Sequence, residues 1–171
     1  RTFQILPVGG NGSGQVARVV CDIVNLDGTP FDGDPRNVLR RALDRAHDKG
    51  FSFYAAPEIE YFYFADDDRT ELLDRGSYFD LSVNDLPTEL RKETVFTLEE
   101  MGVPVEYSQH EDAPSQHELD LRHTDALSMA DTVMTVRLMV KEVASQHGVY
   151  ATFMPKPIAG VQGSGMHTHF S

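Results

Sequence analysis

The sequence holds a single cysteine, Cys21, and no tryptophan among its 171 residues. One cysteine excludes an intrachain disulfide framework and a cysteine-built zinc site, and it points to a reducing, cytoplasmic setting. Basic residues are scarce: 15 lysines and arginines face 27 aspartates and glutamates, for a formal net charge of −12. A surface this acidic does not attract nucleic acid through a general positive field. It favours cationic partners, divalent metals above all. No apolar run approaches the roughly 18 residues of a membrane span, and no segment has the zones of a secretory leader. Internal repeats and low-complexity tracts are also missing. What remains, 40% hydrophobic and 25% charged, suits one globular domain with room for a core. The chain starts at Arg1 and ends at Ser171 inside a strand-like stretch, so it reads as a piece of something larger.

Strand-like and helical patterns alternate along the chain. TFQIL (2–6) and VARVVCDIV (16–24) read as strands around a flexible loop, PVGGNGSGQ (7–15). Asp34 before Pro35 is a helix-start signature. The helix that follows sets Val38, Leu39, Ala42, Leu43 and Ala46 on one face and stops at Gly50. FSFYAA (51–56) and EIEYFYF (58–64) read as two aromatic strands divided by Pro57, and DDDRTELLDRGS (66–77) as an exposed loop. A second helix is expected from about Pro87 to Met101. VPVEYS (103–108) and HELDL (117–121) follow as strands joined by HEDAPSQ. The longest helix spans roughly 123–147, its apolar face carried by Leu127, Ala130, Val133, Met134, Leu138, Val143 and Ala144, with the methionines as packing residues. VYATFM and GMHTHF close the chain as strands. Hairpin-length links among the strands favour an α+β fold with much antiparallel pairing.

Two clusters of acids and one histidine pair carry the chemistry. Glu58 and Glu60 sit two apart in EIEYFYF, so both face one side of the strand with Phe62 and Phe64, while Ile59, Tyr61 and Tyr63 face the other. Aromatics on both faces argue for burial, and two buried like charges call for a cation between them. Glu106, Glu111 and Glu118 form the second group, placed to meet across the mouth of a hairpin. The last stretch, GVQGSGMHTHFS, sets His167 and His169 side by side on a strand: a ligand pair, a phosphate contact or neither. If these strands are neighbours, their oxygen-rich donor set suits two hard or borderline divalent ions such as Mg²⁺ or Mn²⁺.

PEIEYFYF (57–64), VEYSQHEDAPSQHELD (105–120), ATFMPKPIAGVQGSGMHTHFS (151–171) and, more loosely, GSYFD (76–80) resemble the catalytic domain of glutamine synthetase, class I bacterial type. The resemblance covers nearly the whole chain. It implies a curved, largely antiparallel sheet with flanking helices, and residues 1–171 as part of that catalytic domain. The small amino-terminal domain and the carboxy-terminal part of the site would be absent, and the piece inactive alone. The implied activity is ATP-dependent ligation of ammonia to glutamate through γ-glutamyl phosphate. ATP is a substrate, and two Mg²⁺ or Mn²⁺ ions assist. By motif, Glu60, Glu111 and Glu118 match ligands of the ion nearer glutamate, and Glu58 and His167 match ligands of the ion on the ATP side. Glu106 matches a nucleotide contact; His169 and Ser171 match positions near the phosphates and ribose. Gln162 and Gly163 match substrate contacts. The resemblance further implies a homo-oligomer, ring-type and dodecameric, in the cytoplasm, with no nucleic-acid or membrane partner.

The sequence departs from the family pattern at two positions. Gln162 stands where asparagine is usual, which leaves strict glutamate specificity open, and Gln109 stands where histidine is common. Two other readings stay on the same scaffold: a γ-glutamyl ligase using a polyamine or another amine, and a non-catalytic structural relative. A cation- or nucleotide-binding module is the class-neutral alternative.

Overall fold

In a computed structural model that describes residues 3–7, 16–68, 70–82 and 85–171, eight strands and three helices follow one another along the chain. They are β1 (Phe3–Leu6), β2 (Val16–Val19), α1 (Pro35–His47), β3 (Tyr54–Phe64), α2 (Leu86–Glu100), β4 (Val105–His110), β5 (Gln116–Leu121), β6 (Thr124–Asp125), α3 (Ala126–Gln146), β7 (Tyr150–Thr152) and β8 (Thr168–Phe170). The α+β expectation holds, and every strand pair is antiparallel.

β3 is the axis of the larger sheet, and it corrects the expected break at Pro57: its 11 residues run unbroken from Tyr54 to Phe64. Phe62 pairs with both Gln116 and Thr152, and Ala55 with both Thr124 and Phe170, so both edges of β3 are occupied. β5 and then β6 follow one edge; β7 and β8 divide the other. The Glu58 and Glu60 N–H groups donate to His167 and Gly165 carbonyls at 2.8 and 3.4 Å. Alternation therefore turns the Pro57 nitrogen to the opposite edge, where the chain passes from β5 to β6. The missing donor falls at a gap in the ladder, which is where a strand tolerates proline.

One face of this sheet packs on α2 and α3. Ile59, Tyr61, Tyr63, Leu119 and Leu121 meet Leu90 and Leu98 of α2 and Met129, Val136, Met139, Val140, Val143 and Ala144 of α3 in one core. The expected face of α3 is therefore only partly right. Val143 and Ala144 are buried, but Met134 is 53% exposed and Leu138 38% exposed. α3 is apolar on more than one side, so periodicity alone does not select the buried stripe. The methionines are divided likewise: Met129 and Met139 pack inside.

The helix boundaries follow local chemistry. Asp34 caps α1, accepting from the Arg36 N–H, with Pro35 at the first helical position. Asp125 caps α3 by accepting from the Ser128 N–H at 2.9 Å. Gly50 and Gly102 take positive φ just past α1 and α2, as helix stops do. α1 buries little of its apolar side: Leu39, Leu43 and Ala46 are half-buried, while Val38 and Ala42 are exposed. A bidentate Arg36–Asp131 pair ties it to α3.

Two further expectations need correction. The strand expected over 16–24 stops at Val19, because Asp34 also accepts from the Ile23 N–H and draws residues 20–24 towards the start of α1. The segment expected as an exposed loop over 66–77 is exposed at most of its described residues, but Leu73, Asp74 and Gly76 are half-buried. Leu72 bridges to Phe64, Leu73 packs against the core and Asp74 is drawn inward. Thr2 and nearly all of the loop expected at 7–15 lie outside the described residues.

Candidate metal and substrate site

The opposite face of the sheet carries the acids. Phe62 and Phe64 pack there with Ala113, Ile158 and Val161, walling one end. Beyond them Glu60 stands opposite Glu118 in the β3–β5 register, and Glu58 opposite Asp120. Glu111 enters from the β4–β5 turn, its N–H donating to the Gln116 carbonyl at 2.8 Å. Donor oxygens of Glu60, Glu111 and Glu118 all lie within 4.8 Å of one another. β8 brings His167 alongside, its Nδ1 3.1 Å from Glu58 Oε2 and 4.0 Å from Glu60 Oε1. His169 Nε2 lies 2.5 Å from Glu58 Oε1. The five residues matched to metal ligands thus converge on one face.

Glu60 and Glu118 are buried, yet the ion pairs of the described residues bring no lysine or arginine to the three acids. Neutral amides attend them instead: Gln116 Nε2 donates to Glu60 Oε2 at 2.9 Å and Gln109 Nε2 to Glu118 Oε1 at 2.7 Å. The electrostatics register this crowding. Burial, with Asp120, Glu111 and Glu60 nearby, pushes the Glu118 carboxyl well above its ordinary range. Burial and Glu60 raise that of Glu111 as well. Glu58 shifts the other way, held down by its hydrogen bond to His169 and by His167. Around an ion with bonds of about 2.1 Å, ligand oxygens lie roughly 3 to 4.2 Å apart, so the three acids need close only slightly. Hard oxygen donors, burial and uncompensated charge fit Mg²⁺ or Mn²⁺.

Two hollows adjoin at Glu111 and His167. One, of about 490 Å³, is lined by Glu58, Gln109, Glu118, Asp120 and the aromatic residues Tyr78, Phe79 and Tyr107. The other, of about 420 Å³, is lined by Glu60, Gln116, Gln162, Gly163 and Gly165. Gly163 has to be glycine: a Cβ there would sit 2.3 Å from the Pro155 carbonyl oxygen. Its own carbonyl accepts from Gln116 Nε2 at 3.1 Å, linking the loop to Glu60.

Glu106 corrects the expectation of a three-acid hairpin mouth. It lies exposed near the start of β4, beside a bulge between Val105 and Tyr107, at the far end of the hairpin from Glu111. Ser171 exchanges backbone hydrogen bonds with Tyr54, six residues along β3 from Glu60. That separation is roughly 20 Å at strand rise.

Four residues went unnoticed in the sequence. Asp120 shares the Glu118 face, and its raised carboxyl pKa follows from burial and from Glu58 and Glu106. The period-two signal used for Glu58 and Glu60 applies equally to HELDL and would have found it. Asp74, His110 and His117 form a second cluster on the core side of the same hairpin. His110 Nε2 lies 2.8 Å and His117 Nε2 3.2 Å from the Asp74 carboxylate. Arg91 donates to His117 Nδ1 at 2.8 Å, so His117 is neutral with its proton on Nε2. Burial and the Arg91 charge hold its pKa down, at about 4. His110 donates from Nδ1 to the Glu111 carbonyl and from Nε2 to Asp74. Burial opposes its charge, but Asp74 and that carbonyl outweigh burial and raise its pKa. Burial likewise opposes the Asp74 carboxylate, yet these bonds and the Ser115 N–H hold it far below its usual range.

Comparison with known proteins follows the same outline. The sequence model of the glutamine synthetase catalytic domain matches residues 32–171. Glutamine synthetase of Halobacterium salinarum is 49% identical over 174 aligned residues, covering 99% of this chain and 38% of that protein. That of Mycolicibacterium smegmatis is 51% identical over 175, covering 99% and 39%. A cryo-EM structure of Plasmodium falciparum glutamine synthetase superposes with a TM-score of 0.86 at 22% identity, over 99% of this chain and 39% of that one. A structure described as a GmaS/ADP complex superposes at 0.84 with 31% identity, over 98% and 39%. The chain spans about two fifths of the length of the curated relatives it matches. By sequence and by fold, the chain belongs to the glutamine synthetase family, residues 32–171 matching the model of its catalytic domain.

Proposed function

We propose that this chain supplies the metal-bearing wall of an ATP-dependent glutamate–ammonia ligase. The convergence of Glu58, Glu60, Glu111, Glu118 and His167 on one sheet face carries the reading. In it, Glu60, Glu111 and Glu118 hold one divalent ion on the glutamate side, and Glu58 and His167 contribute to a second on the ATP side. Bound there, two such ions would neutralise charge on the transferring phosphoryl group. A γ-carboxylate oxygen of glutamate attacks the terminal phosphorus of ATP, and ADP leaves. Ammonia then adds to the acyl carbon, phosphate departs with the bonding pair, and a proton is lost.

The chain's own residues orient this chemistry. Gln116 holds Glu60 and the Gly163 carbonyl together, so the acid and the glutamate-binding loop keep one spacing. Gln162 and Gly163 face the glutamate hollow; the longer Gln162 amide still offers both donor and acceptor. His169 beside Glu58 is within reach of the phosphates, while Glu106 and Ser171 extend the ATP side towards the base and ribose. Residues 1–171 are then one part of a catalytic domain whose other groups come from the rest of the relatives' length. The working form is a cytoplasmic homo-oligomer, ring-shaped by family resemblance. In the described residues no helix is long and apolar enough to cross a membrane.

The test is an assay of the full-length protein for ATP- and Mg²⁺-dependent phosphate release with glutamate, offering ammonia, methylamine or a polyamine. Glutamine formation with ammonia preferred is the expected result, lost in Glu60→Gln. Preference for another amine would select the γ-glutamyl ligase reading. Absence of transfer to every acceptor would overturn both.

A further inference from the structure

The β4–β5 hairpin that carries Glu111 and Glu118 is gripped from behind by a segment distant in sequence. Asp74 Oδ1 accepts from His110 Nε2 at 2.8 Å, from the Ser115 N–H at 2.8 Å and from the Gly76 N–H at 3.0 Å; Oδ2 accepts from His117 Nε2 at 3.2 Å. The Ser115 hydroxyl oxygen in turn accepts from the Leu73 and Asp74 N–H groups at 2.8 and 3.0 Å. Ser115 is fully buried and holds a φ of 61°, a left-handed conformation unusual for serine. These bonds compensate for that strain and so fix the turn between the two glutamates.

Each partner sits one residue from a carboxylate. His110 precedes Glu111 and His117 precedes Glu118, and alternation along each strand sends the histidines to the core face. His110 Nδ1 also donates to the Glu111 carbonyl at 2.7 Å, touching the backbone of the residue it orients. Fit at this point is tight: a Cβ on Gly76 would lie 2.5 Å from His110 Nε2. The three residues are themselves close enough to bind an ion. Yet every ring nitrogen among them is already engaged at hydrogen-bond distance.

We propose that Asp74 is a positioning residue: through His110, His117 and Ser115 it sets the distance between Glu111 and Glu118, and so the affinity of their site for a divalent ion. This rests on the metal reading of Glu60, Glu111 and Glu118. Outer partners of metal ligands commonly change affinity by about 10–100-fold when removed.

The experiment titrates Mn²⁺ into the full-length protein by calorimetry, using Glu60→Gln to identify the relevant binding event. Asp74→Asn keeps the shape but opposes an amide N–H₂ to a histidine N–H. Gly76→Ala displaces the His110 ring and leaves Asp74 in place, so it carries the test if Asp74→Asn does not fold. Asp34→Ala, at the cap of α1 and away from the hairpin, controls for general destabilisation. The expected result is a tenfold or greater rise in the Mn²⁺ dissociation constant in Asp74→Asn and Gly76→Ala, absent from Asp34→Ala. Wild-type affinity in the first two, or an equal loss in Asp34→Ala, would overturn the proposal. So would an additional ion whose binding depends on Asp74 while the Glu60-dependent event is unchanged. Mn²⁺ binding indifferent to Glu60→Gln would overturn the metal reading itself, and this inference with it.

Discussion

Glu60→Gln should make the metal-free protein more stable while weakening its response to metal. Donor oxygens of Glu60, Glu111 and Glu118 lie within 4.8 Å of one another, and at an effective dielectric near 20 each ionised pair repels by about 3 kcal/mol. Part of this is already relieved, because burial and neighbouring acids favour the protonated forms of Glu111 and Glu118. The amide loses nothing in packing, since its oxygen can still accept from Gln116 Nε2. A net gain of about 1–3 kcal/mol follows, worth roughly 2–12 °C in a protein of this size. Mn²⁺ reverses the order: at about a hundred times its dissociation constant, the ion held by Glu60, Glu111 and Glu118 stabilises the wild type by about 2.7 kcal/mol, a gain the variant lacks. Differential scanning calorimetry at pH 8, in EDTA and in millimolar Mn²⁺, reads both effects. A variant that melts lower than wild type in EDTA, or shifts equally with Mn²⁺, would refute the reasoning.

The loop at Gly163 and the cap at Asp125 give separate tests. Gly163→Ala drives a methyl group into the Pro155 carbonyl, 2.3 Å away, and should cost about 1–3 kcal/mol as the loop moves and the Gln116–Gly163 bond breaks. Calorimetry measures the cost, and altered NMR shifts of the Gln116 side-chain amide report the broken bond. Asp125→Ala should cost about 1 kcal/mol by uncapping α3. Burial opposes the Asp125 carboxylate, but the Ser128 and Leu127 bonds outweigh it and lower its pKa below 3.8. Its contribution is thus full above pH 3.8 and lost as pH falls through the folded value. Denaturant unfolding of both proteins at pH 7 and near pH 3 should show their difference shrinking in acid.

What could be read from the sequence was local. Asp34–Pro35 marked the start of α1, Gly50 and Gly102 marked helix stops, and strict alternation in EIEYFYF assigned each side chain to its face. What could not be read depended on neighbours. Whether Pro57 breaks a strand turns on which edge lacks a ladder partner, and only the slip between β5 and β6 determines that. α3 offers apolar residues on several sides, and the sheet and α2 choose Met129, Val136, Met139 and Val140 over Met134 and Leu138.

The same division runs through the site. Acids are informative by type, so Glu58, Glu60, Glu111 and Glu118 stood out before their strands were known to be adjacent. His110 and His117 were present in the same motif, HEDAPSQHE, but alternation hides them behind the sheet, where a histidine signifies little without its partner. That partner, Asp74, comes from a polar stretch that looks solvated until Leu72 and Leu73 anchor it. The two clusters are nevertheless one construction. Glu111 and Glu118 can crowd against Glu60 without the hairpin splaying because Asp74, Ser115 and the two histidines hold it closed from the other side. Repulsion on one face is opposed by hydrogen bonds on the other, so a change at Asp74 should be felt at the carboxylates without touching them.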